Sequence, residues 1–200
     1  MSSSPVIDIS TACAALAADI CRRVPELGHI DPERILICLS RSRADGDHGV
    51  YARIAPLRFG AGAREKTRRR GRFVETFRMP SLAHEGREIL YLVYLMVPRF
   101  LRLSFEQKLG TVIHELYHIA ETFDGDLRRF PGRNFAHGSS RNAYNRIIAR
   151  LQEQYLAHRP DPQLLGVLHL GEAGWRSGQF RLTGLTVPLP RARLVSRQRV

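Results

Sequence analysis

Nine consecutive apolar residues, Ile89 to Val97, set the first limit on how this chain can fold. Side chains alternate across a strand, so a run without a polar position is apolar on both faces and needs cover on both. Glu88 to Val97 therefore reads as an interior strand, stopped by Pro98. The run is far short of the roughly 20 residues that a membrane-spanning helix requires. The N-terminus, MSSSPVIDIS, has no basic region, and the Ala-rich stretch behind it lies between Asp8 and Asp19, so no secretory signal is expected. With 44% apolar and 25% charged residues over 200 positions, the chain can bury a sizeable core, which excludes wholesale disorder and collagen-like repeats. The expectation is a soluble cytoplasmic protein with no membrane partner, one domain long with a short appendage.

Around that strand the pattern is mixed. Ile9 to Val24 has helical spacing through Ala12, Leu16 and Ile20, ending before Pro25. Arg34 to Ser40 reads as a buried strand and Val50 to Leu57 as a second, after a turn signal at Asp45-Gly46-Asp47. Residues 58–72 read as a Gly- and Arg-rich loop, and Phe73 to Met79 alternates as an edge strand would. Ser104-Phe-Glu-Gln107 fits a capping box, from which a helix is expected to run to about Phe123. Ser139 or Ser140 can cap a further helix with the stripe Tyr144, Ile147, Ile148, Leu151 and Tyr155. The stretch from Leu164 reads as a small docked extension with a mobile basic end. Cys13, Cys21 and Cys38 form no CxxC pair and are odd in number, so buried thiols are expected, with no disulfide framework or zinc ribbon.

His114-Glu115-Leu116-Tyr117-His118 is H-E-x-x-H on the capped helix. Residues i and i+4 share a helical face, so both imidazoles can reach one metal ion, while Glu115 lies about 100° around the helix from His114. Zinc held there would acidify a bound water, and Glu115 would take its proton as general base. Chance supplies on the order of 0.02 such matches in a chain of this length and composition. A catalytic zinc needs a third protein ligand. His137 is the candidate, following His118 after 18 intervening residues and followed by Gly138, which lets the backbone bend close to the metal. Glu121, Asp124 and Asp126 compete for that place, although carboxylates there suit turn chemistry or an outer hydrogen bond to an imidazole. Tyr144 is a candidate donor to a developing oxyanion, although its place on an apolar stripe favours packing. Tyr117, Arg128, Arg129 and Arg141 are alternatives.

Residues 114–138 (HELYHIAETFDGDLRRFPGRNFAHG) resemble the phage-type metallopeptidases, a group of small zincins, and more distantly the SprT-like protease domains. His114, Glu115 and His118 on a helix, followed by a loop with a His-Gly pair before another helix, carry the resemblance. In SprT-like domains the later histidine is the third zinc ligand, which here implies His137. The resemblance implies an α+β minimal zincin with one catalytic zinc. In it a small mixed sheet packs against the HExxH helix, and a protein or peptide substrate lies extended along an edge strand. Residues 1–160 would form that domain and 161–200 a C-terminal extension with a basic tail. Two features depart from the SprT pattern: Arg141 stands where an aromatic is usual, and no cysteine follows Cys38. Cys38-Leu39-Ser40 also resembles a peptide deformylase segment. However, the preceding Ile37 and the Tyr117 within the HExxH depart from that family.

The net charge is +12, from 29 Arg and only Lys66 and Lys108. The excess gathers at 64–72 and in the tail at Arg191, Arg193, Arg197 and Arg199. Such clusters attract polyanions, so DNA is a candidate partner through both segments. The alternative function is a nucleic-acid-binding module with a structural or vestigial metal site. The intact Glu115 favours the peptidase, because a purely structural site needs only ligands.

Overall fold

The computed structural model describes residues 4–41, 49–130 and 140–200. Strand β1 (Val6–Asp8) leads directly into α1 (Ile9–Arg23), whose first turn is capped by the Asp8 carboxylate accepting from the Thr11 amide at 3.0 Å. The strands β2 (Ile35–Arg41), β3 (Ala52–Pro56), β4 (Glu65–Arg70), β5 (Phe73–Arg78), β6 (Leu82–His84), β7 (Arg87–Ile89) and β8 (Tyr91–Val97) follow. The helices α2 (Arg99–Arg102), α3 (Phe105–Tyr117), α4 (Arg141–Ala157), α5 (Pro162–Leu165) and α6 (Glu172–Arg176) come next. Two strands close the chain, β9 (Arg181–Thr183) and β10 (Arg193–Arg199). The class is α+β.

The expected interior strand is β8. It lies at the centre of a mixed sheet of order β2-β8-β3, parallel to β2 and antiparallel to β3. One face of that sheet packs Ile37, Ile54, Val93 and Leu95 against Leu16 and Ile20 of α1 and Leu109, Val112, Ile113 and Leu116 of α3. Tyr144, Leu151 and Tyr155 bring α4 into the same core. The other face packs Leu36, Cys38, Leu92 and Tyr94 with Leu57, Ile89 and the partly buried Val187. All residues of β8 except the half-buried Met96 are buried. Cys13, Cys21 and Cys38 are free and buried, and burial pushes their thiols up to about 12, about 12 and about 11. No helix among the described residues is long and apolar enough to cross a membrane.

Three local expectations differ from what is observed. The stretch 58–72 is not a loop throughout, since Glu65–Arg70 forms β4 and pairs with β5 through the turn at Gly71 (φ 58). Strand β5 is consequently central, in a sheet of order β10-β5-β4, and the C-terminal basic stretch is its third strand. No apolar alternation announces β4 or β10, because nearly all their residues face solvent. Helix α3 ends at Tyr117, short of Phe123, because the chain turns back to bridge Ile119 with Leu127. The turn signal at Asp45-Gly46-Asp47 lies outside the described residues.

Two buried charges tie elements together. Lys108 on α3 is 3% exposed, and its Nζ donates to the carbonyls of Leu168 (3.1 Å) and Leu170 (2.8 Å). This lysine therefore contributes nothing to the basic surface, and its burial lowers its pKa. Asp19 on α1 is 1% exposed; it accepts from the Tyr155 hydroxyl at 2.9 Å and from Arg22 and Arg23. Burial alone would raise its pKa, but the bonds from Arg23, Tyr155 and Arg22 outweigh this and hold the carboxyl below its ordinary value. Asp19→Ala leaves the buried Tyr155 hydroxyl without its acceptor and should cost about 2–3 kcal/mol in urea unfolding at neutral pH. Because the folded pKa is depressed, Asp19's contribution is complete above the unfolded value of about 3.9 and fades as pH falls through the folded value. The gap between native and variant should therefore narrow in acid.

Candidate metal centre

Helix α3 starts where its capping box predicts. Ser104 Oγ accepts from the Gln107 amide at 3.2 Å, and Gln107 Oε1 accepts from the Ser104 amide at 3.0 Å. Leu109, Val112, Ile113 and Leu116 face the sheet, which places His114 and Glu115 in the last turn and His118 at the C-cap. The two imidazoles converge, with Nε2 of His114 3.0 Å from Nε2 of His118 and ring centroids 4.7 Å apart. Glu115 is buried against β3, where the Ile54 backbone hydrogen-bonds its carboxyl. Burial pushes that carboxyl up to about 7, against the smaller lowering effect of the Ile54 bond.

The end of α3 is held from three sides. The Tyr91 hydroxyl, at the start of β8, accepts from the Gly125 amide and donates to the Asp126 carbonyl, both at 2.9 Å. Gly125 takes φ 91, and a Cβ there would lie 2.4 Å from Arg58 Cγ, so only glycine fits. The return strand then brings Arg128 under the helix. Its amide donates to the His118 carbonyl (2.7 Å), its Nε donates to the Tyr117 carbonyl (3.0 Å), and its guanidinium lies 4.3 Å from the Tyr117 ring centroid. A cation bonded to the last carbonyls is what a helix C-terminus favours.

Tyr144 is 2% exposed and stacks on His118, with centroids 5.7 Å apart at 27°, while meeting the His114 ring edge-on at 5.0 Å. Its hydroxyl lies 3.5 Å from the His114 carbonyl oxygen. Tyr117 and Phe130 complete an aromatic wall, with centroids 5.7 and 5.6 Å from that of Tyr144. The imidazole pair faces a cleft of about 640 Å³, lined by Tyr51, Ile54, Tyr144 and Asn145 together with Glu115. A hollow of about 670 Å³ between α3 and α4 continues it and shares Tyr51, His114, Glu115 and Asn145. Strand β3, at the edge of the central sheet, borders the cleft.

The chain matches the family described as "Putative phage metallopeptidase" over residues 9–151. It belongs to that family. No curated protein and no solved structure matches the chain. The matched span begins with α1, takes in the central sheet and α3, and ends in α4. The family's description points to a metallopeptidase, a hydrolase of proteins or peptides.

The donor set suits a metal ion, since two imidazole nitrogens face each other beside a buried carboxyl held by the Ile54 backbone. Among the described residues no third His, Cys, Asp or Glu joins the pair in a ligand group. His137 and Gly138 lie outside the described residues, as does the side chain of Arg141. The competing carboxylates are occupied elsewhere. Glu121 is off the helix and paired with Arg128, and Asp126 pairs with Arg129 at 3.2 Å and accepts from the Ala61 amide. Asp124 accepts from the Asp126 amide, as turn chemistry predicts. Cys38 packs in the cluster on the far face of the sheet, which excludes a deformylase-like ligand set with the two histidines. Sequence reasoning missed Phe130 and the capping role of Arg128, because only the return of the chain at Ile119–Leu127 brings them to α3.

Removing the Tyr144 ring opens a gap against both imidazoles and the core. Tyr144→Ala should cost about 3–5 kcal/mol in chemical denaturation, and Tyr144→Phe, which keeps the ring, should recover most of that loss.

Proposed function

We propose that this family member is a zinc-dependent endopeptidase in which His114, His118 and His137 hold one zinc and Glu115 is the general base. The single observation that carries the reading is the convergence of the His114 and His118 Nε2 atoms at 3.0 Å, with the Glu115 carboxyl buried one residue away in the same cleft. Histidine nitrogens are ordinary zinc ligands, and a bound zinc would polarise a peptide carbonyl and acidify water.

The chain's own residues do the rest. In this reading Glu115, held by Ile54 and shielded from bulk water, takes a proton from the attacking water and returns it to the leaving amine. The open edge of β3, beside Tyr51 and Ile54, offers main-chain groups to an extended substrate, a mode that reads little sequence. Tyr144 packs on both imidazoles and acts as a positioning residue. Its burial and the 3.5 Å approach of its hydroxyl to the His114 carbonyl favour that role over oxyanion stabilisation.

Purified protein loaded with zinc should cleave an unfolded protein substrate. Glu115→Gln should lower the rate by about 10²–10⁴-fold while retaining zinc, whereas His114→Ala, His118→Ala or His137→Ala should lose the metal. A Glu115→Gln variant as active as native would overturn the general-base role and return the site to a structural one. Full zinc occupancy in His137→Ala would require another third ligand.

A further inference from the structure

The two basic segments of the sequence, 64–72 and the C-terminal stretch, meet on one sheet. Strands β4 and β10 flank β5, and residues directly opposite in an antiparallel pair project on the same face. Lys66, Arg68 and Arg70 therefore share a face with Phe77, Glu75 and Phe73. On the other side of β5, Arg197 and Arg199 stand opposite Glu75 and Phe73 and join that face. Five cations thus border two aromatic rings and one carboxylate. Glu75 is 3% exposed, and its oxygens take Arg68 at 3.1 Å and Arg197 at 3.7 Å. The same guanidinium groups cover the rings, Arg68 at 4.6 Å from the Phe77 centroid and Arg197 at 3.9 Å from that of Phe73.

This excess has no explanation within the fold. Among the described residues no carboxylate pairs with Lys66, Arg70 or Arg199, and all three are exposed. Like charges on one sheet face repel, so a sheet that had only to fold would gain nothing from them. The opposite face carries fewer cations, Arg69, Arg78 and Arg193, with Glu65 paired to Arg78 and Thr67, Thr76, Ser196 and Gln198 neutral.

We infer that the Lys66–Arg70–Arg199 face of the β4–β5–β10 sheet binds the phosphodiester backbone of a nucleic acid. Alternate residues recur about every 6.6 Å along a strand, and the outer strands of a three-stranded sheet run about 10 Å apart. The face therefore presents two rows of cations with an aromatic row between them. Guanidinium forks match phosphate oxygens, and ammonium groups meet them as point charges. The face contains none of the residues of the His114–His118 cleft, so this inference stands or falls independently of the peptidase reading.

The test uses the full chain and labelled short duplex DNA, single-stranded DNA and RNA of one length, with binding followed by fluorescence anisotropy between about 50 and about 200 mM salt. Binding should weaken linearly on a log–log plot, and the tightest of the three ligands identifies the form of nucleic acid. The triple variant Lys66→Gln, Arg70→Gln, Arg199→Gln leaves the Glu75 ion pairs intact and should reduce the salt slope by about 2.7 for a duplex, or about 2.1 for a single strand. A control triple, Arg87→Gln, Arg159→Gln, Arg181→Gln, removes equal charge elsewhere and should leave the slope unchanged. If circular dichroism shows that the first triple is unfolded, Lys66→Gln and Arg199→Gln are read singly, each worth a slope change of about 0.9 on a duplex. Four results would overturn the inference: no binding by the native chain at low salt, an unchanged slope in the face variants, an equal loss in the control, or equal displacement by polyglutamate. The last would assign the face to an acidic protein.

Discussion

Strand β8 has no face that water can wet, and the cover it needs sets the arrangement of the part of the molecule that carries His114 and His118. With six of its seven residues buried, each large side chain contributing about 1.5–3 kcal/mol, it requires one layer of helices and a second layer on the reverse of the sheet. Helices α1, α3 and α4 supply the first, and α3 can do so only by turning Leu109, Val112, Ile113 and Leu116 inward. His114 and His118 are then left on the flank that faces the cleft, and Glu115 is pressed against β3. The site's geometry follows from apolar packing as much as from the polar residues that compose it.

The end of α3 depends on a second, smaller set of interactions. Helix termini leave carbonyls without partners, and here Arg128 takes those of Tyr117 and His118. That arginine arrives because Tyr91 grips the turn at Gly125 and Asp126 from the first residue of β8. The strand that sets the core therefore also fixes where the HExxH helix stops. The aromatic wall of Tyr117, Phe130 and Tyr144 then limits the ring rotations open to the imidazoles.

The β4–β5–β10 sheet obeys different physics. Among the described residues none of its side chains joins an apolar core, and it is held by ladder bonds, the Glu65–Arg78 pair, ion pairs about Glu75 and guanidinium groups over Phe73 and Phe77. A sheet held in this way keeps its charge on the surface. The same property hid it in the sequence, where a strand exposed on both faces carries no period-2 signal and its arginines read as a solvated loop and tail.

Local information settled much of this protein. The double-faced run at Ile89–Val97, the Ser104–Gln107 capping box, the stripe of α4 and the HExxH spacing each depend on residues within a few positions of one another, so their chemistry is legible without the fold. Tertiary structure decided what depends on distant segments meeting. It ended α3 at Tyr117, set Tyr144 against both imidazoles, paired Glu121 with Arg128, turned Cys38 to the far face of the sheet, buried Lys108, and joined two basic segments more than 100 residues apart into one face. Helix and capping signals come from short-range sterics and hydrogen bonds. These other outcomes come from contacts whose partners the chain reaches only after folding.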